Sequence, residues 1–216
     1  LAALVRGYST LDLLGWMQCM TRYTEYYVLG HAQPVYVDWQ TRTPADISFG
    51  MIDYRLPATC KVLLLGDWGT HMSDNVAMLR QALRQLKPDA ILHLGDVYYS
   101  GTSFECKRNV LDVMSSLVTE LNIVRPPFFT IPGNHEYYSG AGPWIAEMRR
   151  LGINVLLNEH VVLDHEGEDV VIAGVTDFSA GHFDASQRSD PAGAIAGAPA
   201  DAGVNVLLAH QPRSAF

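Results

Sequence analysis

Residues 61–69 read KVLLLGDWG, and residues 90–99 read AILHLGDVYY. Each is a short apolar run, 62–65 and 90–94, that ends in Gly-Asp: Gly66-Asp67 and Gly95-Asp96. Apolar runs this short, bounded by turn residues, predict buried strands. Between them a helix is expected from about Asp74, with Val76, Leu79, Leu83 and Leu86 on one face and a stop before Pro88. Strand–helix–strand units of this kind mean a mostly parallel sheet covered by helices.

The alternation continues outward. Thr102 and Glu105 have capping-box spacing for a long helix carrying Val110, Met114, Leu117 and Leu121. Residues 128–131 form the next strand, ending in Pro132-Gly133-Asn134-His135. Pro143 opens a short helix that Gly152 closes. Strands are expected at 153–157, 161–163 and 170–175, the last two joined at His165-Glu166-Gly167. Residues 178–203, rich in Gly, Ala, Pro and Asp, read as a long surface loop of the lid type. One short helix starts there at Asp190-Pro191. A last strand, 204–209, ends in His210.

Upstream, residues 1–30 predict a helix. Ser9 and Asp12 have capping-box spacing, and Leu11, Leu14, Met17, Met20, Tyr23 and Tyr27 follow at steps of three or four. The helix either packs on the domain or makes peripheral membrane contact. Asp12 and Glu25 weigh against the second reading, because interfacial helices usually carry a basic polar face. Residues 31–60, with Pro34, Pro44 and Pro57, read as loops and edge strands. The division expected is therefore a helical and irregular extension over 1–60, followed by the α/β domain over 61–216.

The 216 residues include 15 Lys+Arg against 23 Asp+Glu, a net charge of −8. With 48% hydrophobic residues this is an ordinary globular composition, which excludes disordered and collagen-like readings. The acidic balance argues against a nucleic-acid partner, which would want a basic face. A phosphorylated substrate stays open, because bound cations reverse the local sign of a site. Cys19, Cys60 and Cys106 are widely spaced, contain no C-x-x-C pair, and read as buried small hydrophobes rather than a disulfide or zinc framework. No apolar run of about 18 residues encodes a membrane-spanning helix. The first residue is Leu and the last strand-like run stops just before Phe216, so the chain is expected to continue at both ends.

Asp67, Asp96, Asn134 and His210 each stand at the carboxyl end of an expected strand. In a parallel sheet those ends share one edge, where ligands bind. Two carboxylates, an amide oxygen and an imidazole together suit hard or borderline metal cations, and the carboxylates would repel one another without one. A single Gly-Asp merely turns the chain; three such turns at equivalent positions point to a site.

The ordered set Gly66-Asp67-Trp68-Gly69, Gly95-Asp96-Val97-Tyr98-Tyr99, Gly133-Asn134-His135-Glu136 and Leu207-Leu208-Ala209-His210 resembles the calcineurin-like metallophosphoesterases. It is most similar to the purple acid phosphatase pattern within them. The resemblance spans residues 66–210 and implies a four-layer α/β/β/α sandwich, truncated here at the carboxy terminus. It also implies a dinuclear site. Asp67 would ligate the first metal, Asp96 would bridge both, and Tyr99 would give the first metal a phenolate. Asn134 and His210 would ligate the second. His135 would stay off the metals as the catalytic group facing the phosphate. The implied metals are iron with zinc, manganese or a second iron, with two manganese or two zinc ions as alternatives. Two metals roughly 3.5–4 Å apart clamp phosphate oxygens and activate water for in-line attack. A nearby histidine protonates the leaving oxygen, for a gain of about 10²–10⁴-fold.

The implied activity is hydrolysis of a phosphate ester, a monoester first, by a hydroxide held on the metals. The alternatives are a phosphodiesterase or pyrophosphatase acting on a nucleotide or lipid-linked substrate, and a non-catalytic metal-binding or interaction module. The last is motivated by a departure: the family's fifth motif, Gly-His-x-His, is absent, and its place would follow Phe216. Gly181-His182-Phe183-Asp184 is its nearest imitation. A second departure is Gly69, where many relatives carry a metal-binding histidine; His71 lies two residues on and reads as near the site rather than on the metal. The back half, 171–177 and 206–212, looks more like a bacterial, often membrane-associated branch. No Gly-x-x-x-x-Gly-Lys loop appears, which disfavours phosphoryl transfer from ATP.

Several residues carry plainer expectations. His93 reads as a packed core histidine, and His31, His160 and His165 as solvated loop or turn residues. Trp68, Tyr98, Tyr137 and Tyr138 either line a pocket or pack against neighbouring loops. Asp164, Glu166, Glu168 and Asp169 read as a solvated acidic hairpin.

Overall fold

The computed structural model describes residues 13–29, 55–99, 105–150 and 152–216. They fall into two compact units, one drawn from 13–29, 68–87, 97–99 and 105–125 and the other from 55–67, 88–96, 126–150 and 152–216. The Ser9–Asp12 spacing, His31 and Thr102 lie outside the described residues.

The first unit is helical. Helix α1 spans Leu13–Tyr23 and continues as a π-helical turn, Thr24–Val28. Helix α2 is Ser73–Leu86, with Leu79 and Leu83 buried on the face that the apolar spacing predicts. The long helix expected after Thr102 is two segments: a π-helical stretch, Cys106–Asp112, and then helix α3, Val113–Leu121. Helices α2 and α3 lie together and are bridged at their surface by Arg80 and Glu120, 3.0 Å apart.

The second unit holds two four-stranded sheets. Strands β2 (Val62–Leu65), β3 (Ala90–His93), β4 (Phe128–Thr130) and β5 (Asn154–Val155) pair in that order, all parallel. Strands β1 (Arg55–Leu56), β6 (Glu159–His165), β7 (Glu168–Gly174) and β8 (Val204–Leu208) form the other sheet. There β6 and β7 are antiparallel, whereas β1 pairs with β6 and β8 with β7 in parallel. Glu166 and Gly167 connect β6 to β7, both at positive φ (55° and 88°), the two-residue turn that matches the twist of a hairpin.

The core lies between the sheets. Ala90, Leu92, Phe129 and Ile131 from the first meet Leu56, Leu163, Ile172 and Leu208 from the second. Strand β3 is buried on both faces, as an interior parallel strand must be. Its Leu92 enters the inter-sheet core, while His93 turns to the opposite face and stacks on Phe128 with ring centroids 5.7 Å apart. This places His93 in the core, as its sequence setting predicts.

Helix α4 is Asn134–Tyr138 and α5 is Ala141–Arg150, which buries Trp144, Ile145 and Met148. The span 178–203 holds more structure than the long loop expected of it: helix α6 (Ala180–Phe183), a 3₁₀ turn (Ala185–Gln187) and helix α7 (Pro191–Ala194). Proline at the first turn of α7 and Asp190 accepting the Gly193 N–H match the helix start read there. Ala194 packs on the outer face of the second sheet against Ala173 and Val175.

Two histidines depart from expectation. His160 and His165 are strand residues of β6, not solvated loop residues. The His160 ring Nδ1 lies 2.9 Å from the Ala194 carbonyl, which anchors α7. The hairpin pattern signalled a turn but not how far its strands extend.

Candidate metal centre

Two of the four motif turns use a left-handed backbone at the end of a parallel strand. Asp67 (φ 53°) follows β2, and Asp96 (φ 56°) follows β3 and Gly95 (φ 95°). Aspartate is among the few side chains that tolerate this conformation. The Gly-Asp pairs therefore turn the chain sharply just past the sheet. Asp67 N–H donates to the Gly95 carbonyl at 3.2 Å, tying the first turn to the second.

The structure brings Asp67, Asp96 and His210 together: one ligand atom from each lies within 4.8 Å of the others. Asn134 joins them, its Oδ1 at 2.9 Å from His210 Nε2. His135 is adjacent, with its backbone N–H donating to Asp96 Oδ1 at 3.1 Å and its ring Nε2 3.8 Å from Asp96 Oδ2. Asp96 is buried, Asp67 is exposed, and His210 is intermediate. Burial raises the Asp96 carboxyl above the usual carboxylate range, opposed by the imidazoles of His210 and His135.

His210 tests whether a cation fits. Its ring Nδ1 lies 2.7 Å from the Leu94 carbonyl, which can only accept, so Nδ1 carries the proton. In a neutral ring Nε2 is then a bare acceptor. It faces Asn134 Oδ1 at 2.9 Å and Asp96 Oδ2 at 3.6 Å, both acceptors as placed. Three converging lone pairs repel one another without a cation and become ligands with one. The carbonyl behind Nδ1 supplies the outer contact that orients a metal-binding imidazole. The donor set thus fits a metal ion.

Glycine is required at two of these turns. A Cβ on Gly133 would land on Asp96 Oδ1 and 2.7 Å from the Asp96 nitrogen. One on Gly95 would stand 2.7 Å from Gly133 N and 3.0 Å from His210 Nδ1. The motif loops pack backbone to backbone, and the ligand positions depend on that closeness.

Glu136 is the residue whose role the sequence reading missed. It is fully buried, and its Oε2 accepts the backbone N–H groups of Gly133 at 2.6 Å and Asp96 at 3.1 Å. The first is the N-terminal cap of α4; the second reaches across to another strand end. Glycine followed three residues later by glutamate is a capping signal that could have pointed to it.

The remaining candidates have settings of their own. Tyr99 belongs to the helical unit, where its ring stands edge-on to Trp16 at 6.2 Å. His71 is in the same unit at φ 56°, its pKa lowered by burial and by Arg108. His182 is exposed on α6 and is not among the residues grouped with Asp67, Asp96 and His210. Trp68 and Tyr98 are buried packing residues: the Trp68 indole donates to the Asn109 carbonyl at 2.7 Å. Gly69 accompanies them because a Cβ there would collide with the Tyr98 backbone. His93 is fully buried, with Nδ1 3.3 Å from the Thr130 hydroxyl and Nε2 unpartnered. Burial, then the nearby His210, pushes its pKa down to about 3.

Two packed sheets with aspartates, an asparagine and a histidine at strand ends define an α/β protein with a donor set that could hold a metal ion. Residues 60–214 match the model of the calcineurin-like phosphoesterase family, and the chain belongs to that family. It is 27% identical over 166 residues to an uncharacterized metallophosphoesterase of Aquifex aeolicus, covering 74% of this chain and 59% of that protein. It is 30% identical over 191 residues to a bovine (Bos taurus) transmembrane protein with a metallophosphoesterase domain, covering 80% of this chain and 40% of that one. A solved 5′-nucleotidase precursor from Thermus thermophilus is similar at 18% identity and a TM-score of 0.37, over 55% of this chain and 29% of that one. The chain thus spans between two-fifths and three-fifths of the curated relatives it matches.

Proposed function

We propose that this site hydrolyses phosphate esters, phosphomonoesters first, with two bound metal ions. The observation that carries the reading is the convergence of Asp67, Asp96 and His210 with Asn134 around an Nε2 that has acceptors on either side. Asp67, Asp96, Asn134 and His210 would hold the ions, and the sequence motif alone adds Tyr99. When bound, the ions supply positive charge for the phosphate oxygens and activate water at neutral pH.

The chain's own residues do the rest. Leu94 holds the His210 ring with Nε2 turned to the ligands. Glu136 fixes the turns carrying Asp96 and Asn134. His135, its side chain about one-third exposed at 32%, is a proton carrier beside the cluster. It would protonate the leaving oxygen.

The test is metal content and phosphatase activity of the full chain and of Asp96→Ala. About two metals per chain, with activity lost together with the metals in the variant, supports the reading. Activity that survives both chelation and Asp96→Ala sinks it. A diester hydrolysed faster than a monoester would move the assignment to phosphodiesterases. Visible colour that Tyr99→Phe bleaches would identify iron.

No helix among the described residues is long and apolar enough to cross a membrane. On α1, however, Leu13, Leu14, Met17 and Met20 are each more than half exposed. That row supports peripheral membrane contact through residues 1–30. Flotation with liposomes should require the segment, and flotation unchanged by its removal would reject the contact.

A further inference from the structure

We propose that Tyr138 and Phe183 form an aromatic ledge beside His135 that receives a flat leaving group, so that the preferred ester carries a nucleobase or aryl ring. The inference rests on the hydrolytic reading above and names its substrate class.

The rings form a continuous row. Tyr138 stands edge-on to the His135 ring, with centroids 5.9 Å apart and planes at 63°. Phe183 stands edge-on to Tyr138 at 5.7 Å and 65°. Phe183 also lies nearly parallel to Tyr137, at 6.2 Å and 30°. Tyr137 is buried and its hydroxyl donates to Gln187 Oε1 at 2.9 Å, so Phe183 rests on a fixed ring. Helix α6 is held at its start by buried Ala180, whose N–H donates to the Asp177 carbonyl at 3.0 Å. Yet Tyr138 and Phe183 remain 50% and 54% exposed. Single exposed rings are ordinary. A supported row of them next to a proton donor is a binding surface.

Geometry sets which part of a substrate meets it. The leaving oxygen must come within hydrogen-bond reach of His135. Its substituent then lies beside His135, and Tyr138, in contact with that ring, and Phe183, in contact with Tyr138, are exposed aromatic rings it can meet. A ring stacks on such a surface; a sugar or alkyl group has no π-face to offer. Stacking of one base on an aromatic side chain gives about 5- to 100-fold in affinity.

The experiment compares adenosine monophosphate with the same sugar phosphate lacking its base, on the full chain loaded with metal. Both hydrolysis and equilibrium binding are measured. The ledge predicts that the nucleotide has a KM and a Kd about 5- to 100-fold lower. Phe183→Ala and Tyr138→Leu should each shrink that ratio toward one, and Phe183→Trp should keep it. Tyr138 is half exposed, so its replacement tests the ledge even if Phe183→Ala disturbs packing against Tyr137. A wild-type ratio near one, or a ratio that both variants leave intact, overturns the ledge. Selective nucleotide binding without hydrolysis of either compound would keep the ledge and sink the hydrolytic reading. Hydrolysis of both with equal KM would do the reverse.

Discussion

Glu136→Ala is the sharpest test of how the site is held. The substitution removes the carboxylate oxygen that accepts the N–H groups of Gly133 and Asp96 at 2.6 and 3.1 Å. Both donors are buried, so water cannot readily replace the lost acceptor. A buried donor left without a partner costs about 1–3 kcal/mol, so the two together cost about 2–6 kcal/mol. A domain is typically stable by about 5–15 kcal/mol, so this is a large fraction of the total. At about 2–4 °C per kcal/mol for a chain of this size, the melting temperature should fall by about 4–24 °C. Glu136→Gln keeps one oxygen acceptor and replaces the other oxygen with an amide NH2, so it should fall between the two. Urea unfolding gives the stability order, and calorimetric titration with zinc or manganese gives the metal affinity. Metal binding should weaken in the same order, because Asp96 and Asn134 sit on the two turns that Glu136 joins. If Glu136→Ala unfolds within about 1 kcal/mol of the parent and binds metal equally well, the clamp is wrong.

Two further outcomes follow from particular contacts. Gly133→Ala should abolish metal binding, because the added methyl lands on Asp96 Oδ1 and must displace it; elemental analysis of the folded variant decides this, and undiminished metal would contradict the packing described. His93 is kept neutral by burial, with a native pKa of about 3 against an ordinary 6.5. Between those values the unfolded chain takes up a proton that the native state refuses. Its contribution is therefore intact above about pH 6.5 and is lost as pH falls, at about 1.4 kcal/mol per pH unit. His93→Leu should reduce that slope by about one proton in urea unfolding series run from pH 6.5 downward, and an unchanged slope would show that His93 protonates freely in the fold.

How much of this was legible in the sequence varies by element. The strand ends at Asp67, Asp96 and Asn134 were readable because an apolar run followed by Gly-Asp or Gly-Asn is a local signal. Helix α2 was readable because its face repeats every three or four residues and stops before Pro88. The π-helical stretch before α3 was not, since its 7 residues hold too few turns for apolar spacing to separate an i→i+5 helix from an i→i+4 one. The strands of β6 and β7 were read too short, because the charged ends of the hairpin carry no alternation to mark them as paired.

The chain by itself determined the strand–helix order, the turns that carry the acids, and the candidate ligands, all of which depend on neighbours a few residues away. Tertiary structure decided which strands are neighbours and which ligands meet. An apolar run says that a strand is buried, not that β1, at residues 55–56, pairs with β6. His210 reaches the carbonyl of Leu94 across 116 residues of chain. Glu136 joins two loops 40 residues apart through backbone N–H groups, which every residue but proline possesses and which therefore leave no mark in the sequence.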